Sequence, residues 1–166
     1  MKIWPILVMF CVLQSYAQAP SVEAPEDLPA LRIVGLVAKG SVLMNELNIK
    51  SDWIRLENFG QDTIHFSDHK IFISDDVNKL KKFRLRKKSL APDSSMVIWC
   101  DDMGITREQI HTNFKLSSMG ETVTLTIVMD NRRKTLDQVY YRELGPEAQQ
   151  TLYRSESDLM VYRSAR

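Results

Sequence analysis

The sequence predicts an all-β fold of the sandwich type, and three observations support this prediction. Short runs rich in β-branched and aromatic residues begin at Leu31 and continue to the end of the chain. Turn-forming residues separate these runs at intervals of roughly ten residues. Several runs alternate apolar and polar side chains, the period of a strand with one buried face. The chain has 166 residues, which suffices for one domain with a substantial core.

The candidate strands, in chain order, are LRIVGLVA, SVLMNEL, DWIRLEN, DTIHF, KIFIS, KKFRLRK, SMVIWC, ETVTLTIVM, LDQVYY and DLMVY. The clearest is ETVTLTIVM, at residues 121–129, because apolar side chains and threonines separate onto opposite faces. The first set is predicted to enter the core and the second to face water: Val123, Leu125 and Ile127 against Thr122, Thr124 and Thr126.

DWIRLEN follows the same rule and predicts a second strand with one core face. Ile54 and Leu56 point to the core, and Arg55 and Glu57 point away from it. Trp53 falls on the polar face, where we expect it to pack under a neighbouring loop; stacking on a ligand is the alternative. GPEAQQTLYR stays ambiguous, because proline followed by Glu-Ala-Gln-Gln is also typical of a short helix.

The first seventeen residues are predicted to be a secretory signal peptide rather than part of the fold. They contain one basic residue, Lys2, then an apolar run, then the small-residue pattern Ser15-Tyr16-Ala17. Residues 18–30 contain three prolines and several acids and predict an extended linker. We therefore expect an exported protein, periplasmic, on the cell surface or secreted, without a membrane span in its mature chain.

Charge and cysteine content say little about the partner. Removal of residues 1–17 takes away one lysine and no acid, so the mature chain carries 21 basic and 21 acidic residues. Cys100 is then the single cysteine, which excludes an internal disulfide. Because Asp101 and Asp102 follow it, we expect a poor nucleophile.

Four stretches together resemble the lamin tail domain, a family of nuclear lamins and of many bacterial exported proteins. They are VLMNEL, DWIRLENFGQDTIHFSDHKIFISDD, MVIWCDD and HTNFKLSSMGETVTL, in that order. The resemblance implies an immunoglobulin-like β-sandwich of the lamin-tail type over residues 31–163. It also implies an interaction module without catalytic activity.

The stretch REQIHTNFKLSSMGE raises the alternative of a hydrolytic enzyme with a site near His111. His111, Thr112, Asn113 and Ser117 could in principle supply a nucleophile, a base and a group that orients the base. Neighbouring residues of an extended segment point to opposite faces, and no Gly-x-Ser-x-Gly motif occurs. We therefore predict a protein that is not an enzyme and needs no cofactor; a structural spacer or assembly subunit is a third alternative.

Residues 79–88, KLKKFRLRKK, are the candidate contact surface, with seven basic residues and no acid. In a strand, Phe83 and Leu85 would anchor the segment while alternate basic residues formed a row on the other face. The partner would be an acidic protein or an anionic polymer, such as a polysaccharide or nucleic acid, at the cell exterior. The alternative is an edge strand whose charges block aggregation. The candidate binding residues are Lys81, Lys82, Arg84, Arg86, Lys87 and Lys88.

Two pairs of acidic residues are candidate ligands for calcium. Asp75-Asp76 and Asp101-Asp102 each end a candidate strand, and two loops at one end of a sandwich could bring the pairs together. Capping of turns by aspartate is the alternative. The three histidines and one mature cysteine show no spacing typical of a transition-metal site.

Overall fold

The computed structural model describes residues 28–39, 43–86, 88–143, 150–154 and 160–164, with 150–153 and 160–164 described by their backbone alone. These residues form strands and no helix. The strands are β1 (Leu31–Val37), β2 (Asp52–Asn58), β3 (Ile64–His65), β4 (Lys70–Ser74), β5 (Phe83–Arg84), β6 (Ser89–Leu90), β7 (Ser94–Cys100), β8 (Ile105–Thr106), β9 (Ile110–His111), β10 (Gly120–Met129), β11 (Arg132–Arg142), β12 (Gln150–Arg154) and β13 (Met160–Ser164).

The strands form three sheets, so the fold is all-β with multiple sheets, as predicted. The first sheet has the order β13-β12-β1-β2-β7-β9-β8, and the second has the order β11-β10-β4-β5. β3 and β6 form a separate two-stranded sheet. Neighbours pair antiparallel except β7 and β9, which pair parallel. This arrangement is consistent with a β-sandwich.

One hydrophobic core joins the first two sheets. It contains Ile33 and Ile98 of the first sheet together with Ile71 and Val139 of the second. The side chains that alternation in β2 and β10 predicts for the core all have 0% exposure, which confirms the prediction for both strands: Ile54, Leu56, Val123, Leu125 and Ile127.

The prediction that the threonine face of β10 lies in water is wrong. Thr124 and Thr126 are both buried. Thr126 Oγ1 donates to the carbonyl of Leu80 at 2.9 Å, and Thr124 Oγ1 accepts from Gln138 Nε2 at 3.0 Å. The segment after β4 and the side chain of Gln138 in β11 therefore cover this face. The alternation of residues within β10 gives no sign of either contact.

SVLMNEL is not a strand in its described part. Residues 43–50 form a tight loop in which Asn45 Oδ1 accepts the backbone N–H groups of Leu47 and Ile49, at 2.9 and 3.1 Å. Such a side-chain cap competes with strand pairing, and only an isolated bridge between Met44 and Lys50 remains. We name this segment the 43–50 loop.

Trp53 packs in a small second cluster on the first sheet. It is buried together with Val37 and Trp99, and the guanidinium of Arg55 lies 5.4 Å from its ring. Trp53 is therefore buried as expected, but its described neighbours belong to strands β1 and β7 and not to a loop.

Several predictions fall outside the described residues: the signal peptide at 1–17, the linker up to residue 27, Lys87, and residues 144–149 of the ambiguous stretch. The end of that stretch, Gln150–Arg154, is strand β12. Among the described residues, no helix is long and apolar enough to cross a membrane.

Candidate functional site

The basic segment lies along the free edge of the second sheet. β5 is the last strand of that sheet and pairs with β4, with Phe83 opposite Ile73 and Arg84 opposite Phe72. Phe83 and Leu85 are buried in the core. Because side chains alternate along an extended chain, the intervening basic residues face outward. The edge position, which was predicted as the alternative to a contact surface, and the burial of Phe83 and Leu85 are both confirmed.

Lys82 is largely neutralised within the structure. Its Nζ lies 2.6 Å from Asp75 Oδ1 and 2.9 Å from Asp75 Oδ2, and 5.1 Å from the centre of the Phe114 ring. Lys82 is therefore a structural cation, and the sequence pattern did not reveal this pairing.

Arg84 and Arg86 are different, because neither forms an ion pair with the described residues. Arg86 is exposed and Arg84 is half-buried. The Nε of Arg84 is buried and has no hydrogen-bond partner in the described part of the chain. Lys81 is exposed and Lys88 half-buried.

An open cleft of about 390 Å³ lies beside these arginines. Its lining residues are Lys82, Phe83, Arg84, Arg86, Gly104 and Thr106. Thr106 belongs to β8, the edge strand of the first sheet, so the cleft lies between the free edges of the two sheets. We name it the edge cleft.

Gly104 lines the far wall of the edge cleft, the wall opposite β5, and its backbone conformation shapes that wall. Gly104 has φ +67°, a left-handed conformation that favours glycine, and its N–H donates to the carbonyl of Thr112 at 2.9 Å. The neighbouring Asn113 donates from Nδ2 to the carbonyl of Lys82 at 3.2 Å. This contact ties the loop after β9 to the start of the basic segment.

A second cleft, of about 430 Å³, lies at the other end of the segment. Its lining residues are His65, Ser67, Lys88 and Ser89. Residues 82–86 therefore border the first cleft and Lys88 and Ser89 border the second, which suits an extended ligand better than a compact one.

His111 is buried between two carboxylates rather than facing solvent. The side chain has 0% exposure. Its Nδ1 lies 2.5 Å from Asp101 Oδ2, and its Nε2 lies 3.2 Å from Glu46 Oε2. Burial is the largest influence on the pKa of Glu46 and would raise it, but the interactions with His111 and the backbone hydrogen bonds of Glu46 and Gln109 together hold that pKa below its ordinary value.

Further hydrogen bonds fix the 43–50 loop onto β7 and the segment before β9. Gln109 Oε1 accepts the N–H of Glu46 at 3.2 Å and the indole N–H of Trp99. Asn45 Nδ2 donates to Asp101 Oδ2 at 3.3 Å. Asn45, Glu46 and Gln109 were not predictable as partners of this region, because their contacts join parts of the chain that no local sequence pattern connects.

The hydroxyl groups of Thr112 and Ser117, both close to His111 in sequence, form hydrogen bonds with backbone groups. Thr112 Oγ1 donates to the carbonyl of Phe114 at 2.9 Å, and Ser117 Oγ accepts the N–H of Met119 at 3.1 Å. These contacts agree with a loop that closes the fold.

Three of the four acids proposed for calcium have partners within the protein. Asp75 lies against Lys82 and Asp101 against His111 at the distances given above, Asp76 Oδ1 accepts a backbone N–H two residues on, and Asp102 is exposed. In the described part of the chain, no three histidine, cysteine or acidic side chains gather as a metal-binding group. Calcium binding stays a prediction, and isothermal titration checks it.

One cluster of buried titratable groups was not predicted. Glu121 Oε1 accepts the hydroxyl of Tyr141 and the N–H of Ser117, each at 2.9 Å. Burial raises the pKa of Glu121, and it raises the pKa of Asp52 to about 6. Burial also raises the pKa of Cys100 well above its ordinary value, which agrees with the expectation of a poor nucleophile.

No protein-family model matches the chain, and no curated protein matches it.

Proposed function

We propose that the chain is an exported, non-catalytic module of the lamin-tail, immunoglobulin-like type that binds an anionic partner at the cell exterior. Three of the four stretches that resemble the family supply strands β2, β4, β7 and β10. These strands belong to the two sheets that share the core. Their placement is consistent with the β-sandwich that the resemblance implies.

The observation that carries the binding proposal is the state of Arg84. Its Nε is buried beside the edge cleft without a hydrogen-bond partner in the described residues. A buried donor without a partner costs free energy. A carboxylate, sulfate or phosphate in the cleft would pair with the guanidinium groups of Arg84 and Arg86, which both border the cleft.

Protection of the edge against aggregation is the competing explanation. That function needs only exposed charge on the edge strand. It does not require a half-buried guanidinium beside a cleft, so the position of Arg84 favours binding.

The surroundings of His111 support a module without catalytic activity. Both ring nitrogens face carboxylates, and the side chain has no exposed surface. A general base must reach the proton that it removes, and this imidazole is enclosed.

Heparin affinity and its salt dependence test the proposal. We expect the purified chain to bind heparin at low salt and to bind duplex DNA with a steep salt dependence. Each phosphate contact adds about 0.9 to the log–log slope. Arg84→Ser with Arg86→Ser should weaken binding and flatten the slope.

Arg132→Ser with Arg133→Ser is the matched control. It removes the same charge from exposed positions on β11, three strands from β5 and thus about 14 Å away. A wild-type chain that passes through the heparin column at low salt contradicts the proposal and leaves edge protection as the explanation.

A further inference from the structure

The free side of β5 carries backbone groups that point toward the edge cleft. The N–H of Leu85 donates to the carbonyl of Ile71 at 2.9 Å, toward β4. Backbone groups alternate between the two sides of an antiparallel strand. The N–H and C=O of Arg84 therefore point away from β4, on the side where no strand among the described residues extends the second sheet. Such an edge is a template for another strand.

Side-chain and backbone contacts bound the open part of this edge. At one end, the carbonyl of Lys82 already accepts from Asn113 Nδ2 at 3.2 Å. At the other end, the carbonyl of Lys88 accepts the N–H of Phe66 at 2.9 Å. Among the described residues, the stretch between these contacts is 83–86, which is long enough for a short strand only.

The two arginines define the chemistry of what the edge would accept. Arg84 and Arg86 are two residues apart on one face, about 6.8 Å along an extended chain. Alternate side chains of an added strand repeat at the same distance, so an acid at every second position would meet both guanidinium groups. The residue between two acids would lie on the side of Phe83, which lines the cleft.

We propose that β5 accepts an extended acidic peptide of a partner protein as an additional antiparallel strand, with the pattern acid–apolar–acid. This inference rests on the proposed function and names its ligand. A polysaccharide or nucleic acid would neutralise the arginines equally well. It lacks the alternating N–H and C=O groups that match the open backbone of Arg84, which favours a peptide.

A labelled peptide, Glu-Val-Glu-Val-Glu, tests the inference by fluorescence anisotropy at low salt. In the proposed pairing, the central glutamate lies opposite Arg84, and its N–H faces β5. N-methylation of that glutamate should weaken binding about tenfold, the equivalent of one lost hydrogen bond. N-methylation of a valine, whose N–H faces away, should leave binding within about twofold. Arg84→Ser with Arg86→Ser should weaken the unmodified peptide about tenfold or more, and the Arg132→Ser, Arg133→Ser control should not.

The other outcomes separate the competing explanations. Equal binding of both N-methylated peptides, together with heparin binding, overturns strand addition and leaves anion binding intact. If the chain binds neither heparin nor the peptide, both proposals are overturned. Concentration-dependent dimers in light scattering that the peptide dissociates would make a second copy of the chain the occupant, which overturns the partner peptide.

Discussion

The carboxylate of Asp137 lies 2.6 Å from the backbone nitrogen of Ile33, a residue of the opposite sheet. Both residues adjoin irregular pairing, since β1 shifts register between Ile33 and Gly35 and β11 shifts opposite Leu125 and Thr126. Arg154 completes the contact by donating from Nε to the carbonyl of Ile33 and pairing with Asp137. One acid thus accepts a backbone donor beside an irregularity of β1 and joins the two sheets.

Asp137→Ala should therefore destabilise the protein strongly. Asp137 and Arg154 have side chains only 13% and 11% exposed, and removal of one member of such a pair costs about 3 kcal/mol or more. Urea denaturation measures the change in the free energy of unfolding. Thr135→Ala, at an exposed position of the same strand, is the control and should cost less than about 0.5 kcal/mol. Equal losses in the two variants would contradict a role for this contact between the sheets.

Leu125→Ala tests the core of β10. Leu125 has 0% exposure, so we expect a loss of about 2–5 kcal/mol in the free energy of unfolding. Thr126→Val should also destabilise, by about 1–3 kcal/mol, because it leaves the carbonyl of Leu80 without its hydroxyl donor. An unchanged stability of Thr126→Val would mean that its burial is of no energetic consequence.

The sequence predicted those features of the fold that depend on neighbouring residues. DWIRLEN and KIFIS coincide with β2 and β4, because the period of two is a local property of a strand with one core face. The covering of Thr124 and Thr126 was not predictable in this way, since its contacts come from other segments. The 43–50 loop was mistaken for a strand because SVLMNEL is a short run of mainly apolar residues, while the capping side chain of Asn45 decides the conformation.

For the candidate site, too, the sequence predicted the local features and not the tertiary contacts. Alternation in KLKKFRLRKK correctly separated Phe83 and Leu85 from the basic row. The ion pair of Lys82 and the far wall at Gly104 arise from tertiary packing. Sequence alone therefore could not distinguish Lys82, which is neutralised, from Arg84, which is not.

His111→Ala distinguishes a structural histidine from a catalytic one. Removal of the imidazole leaves the carboxylates of Asp101 and Glu46 facing each other without their shared partner, so we expect a loss of about 3 kcal/mol. Thermal unfolding measures it, with His65→Ala at an exposed position as the control. A hydrolytic enzyme would instead lose turnover while its melting temperature held.

The N-terminal prediction is checked by intact-mass measurement on exported protein. We expect the loss of residues 1–17, because Ser15-Tyr16-Ala17 matches the pattern before a signal-peptidase site. Full-length chain in the extracytoplasmic fraction would contradict it.

Asp52→Asn should stabilise the protein at neutral pH and have no such effect in acid. Burial raises the pKa of Asp52 from 3.8 to about 6, with a smaller contribution from the charge of Glu121, against the lowering effect of the Leu116 N–H and Lys115. A carboxyl with a raised pKa binds its proton more tightly in the folded state. Its contribution to stability is therefore complete below about pH 3.8 and is lost as the pH rises through about 6.

Asparagine keeps an oxygen that can accept the Leu116 N–H and carries no charge to bury. We expect Asp52→Asn to exceed the wild type at pH 7 by on the order of 1 kcal/mol, a value reduced for solvent screening of a partly exposed group. The advantage should disappear near pH 4. Glu46 acts in the opposite sense, because its pKa is lowered in the folded state. The stability that its carboxylate contributes is therefore lost as the pH falls below 4.5, the ordinary pKa of this group. Both proteins contain Glu46, so its effect cancels when their melting temperatures are compared at each pH. A difference that stays constant from pH 4 to pH 8 would show that Asp52 does not titrate in this window, and the burial of its charge would then have no part in the stability of the fold.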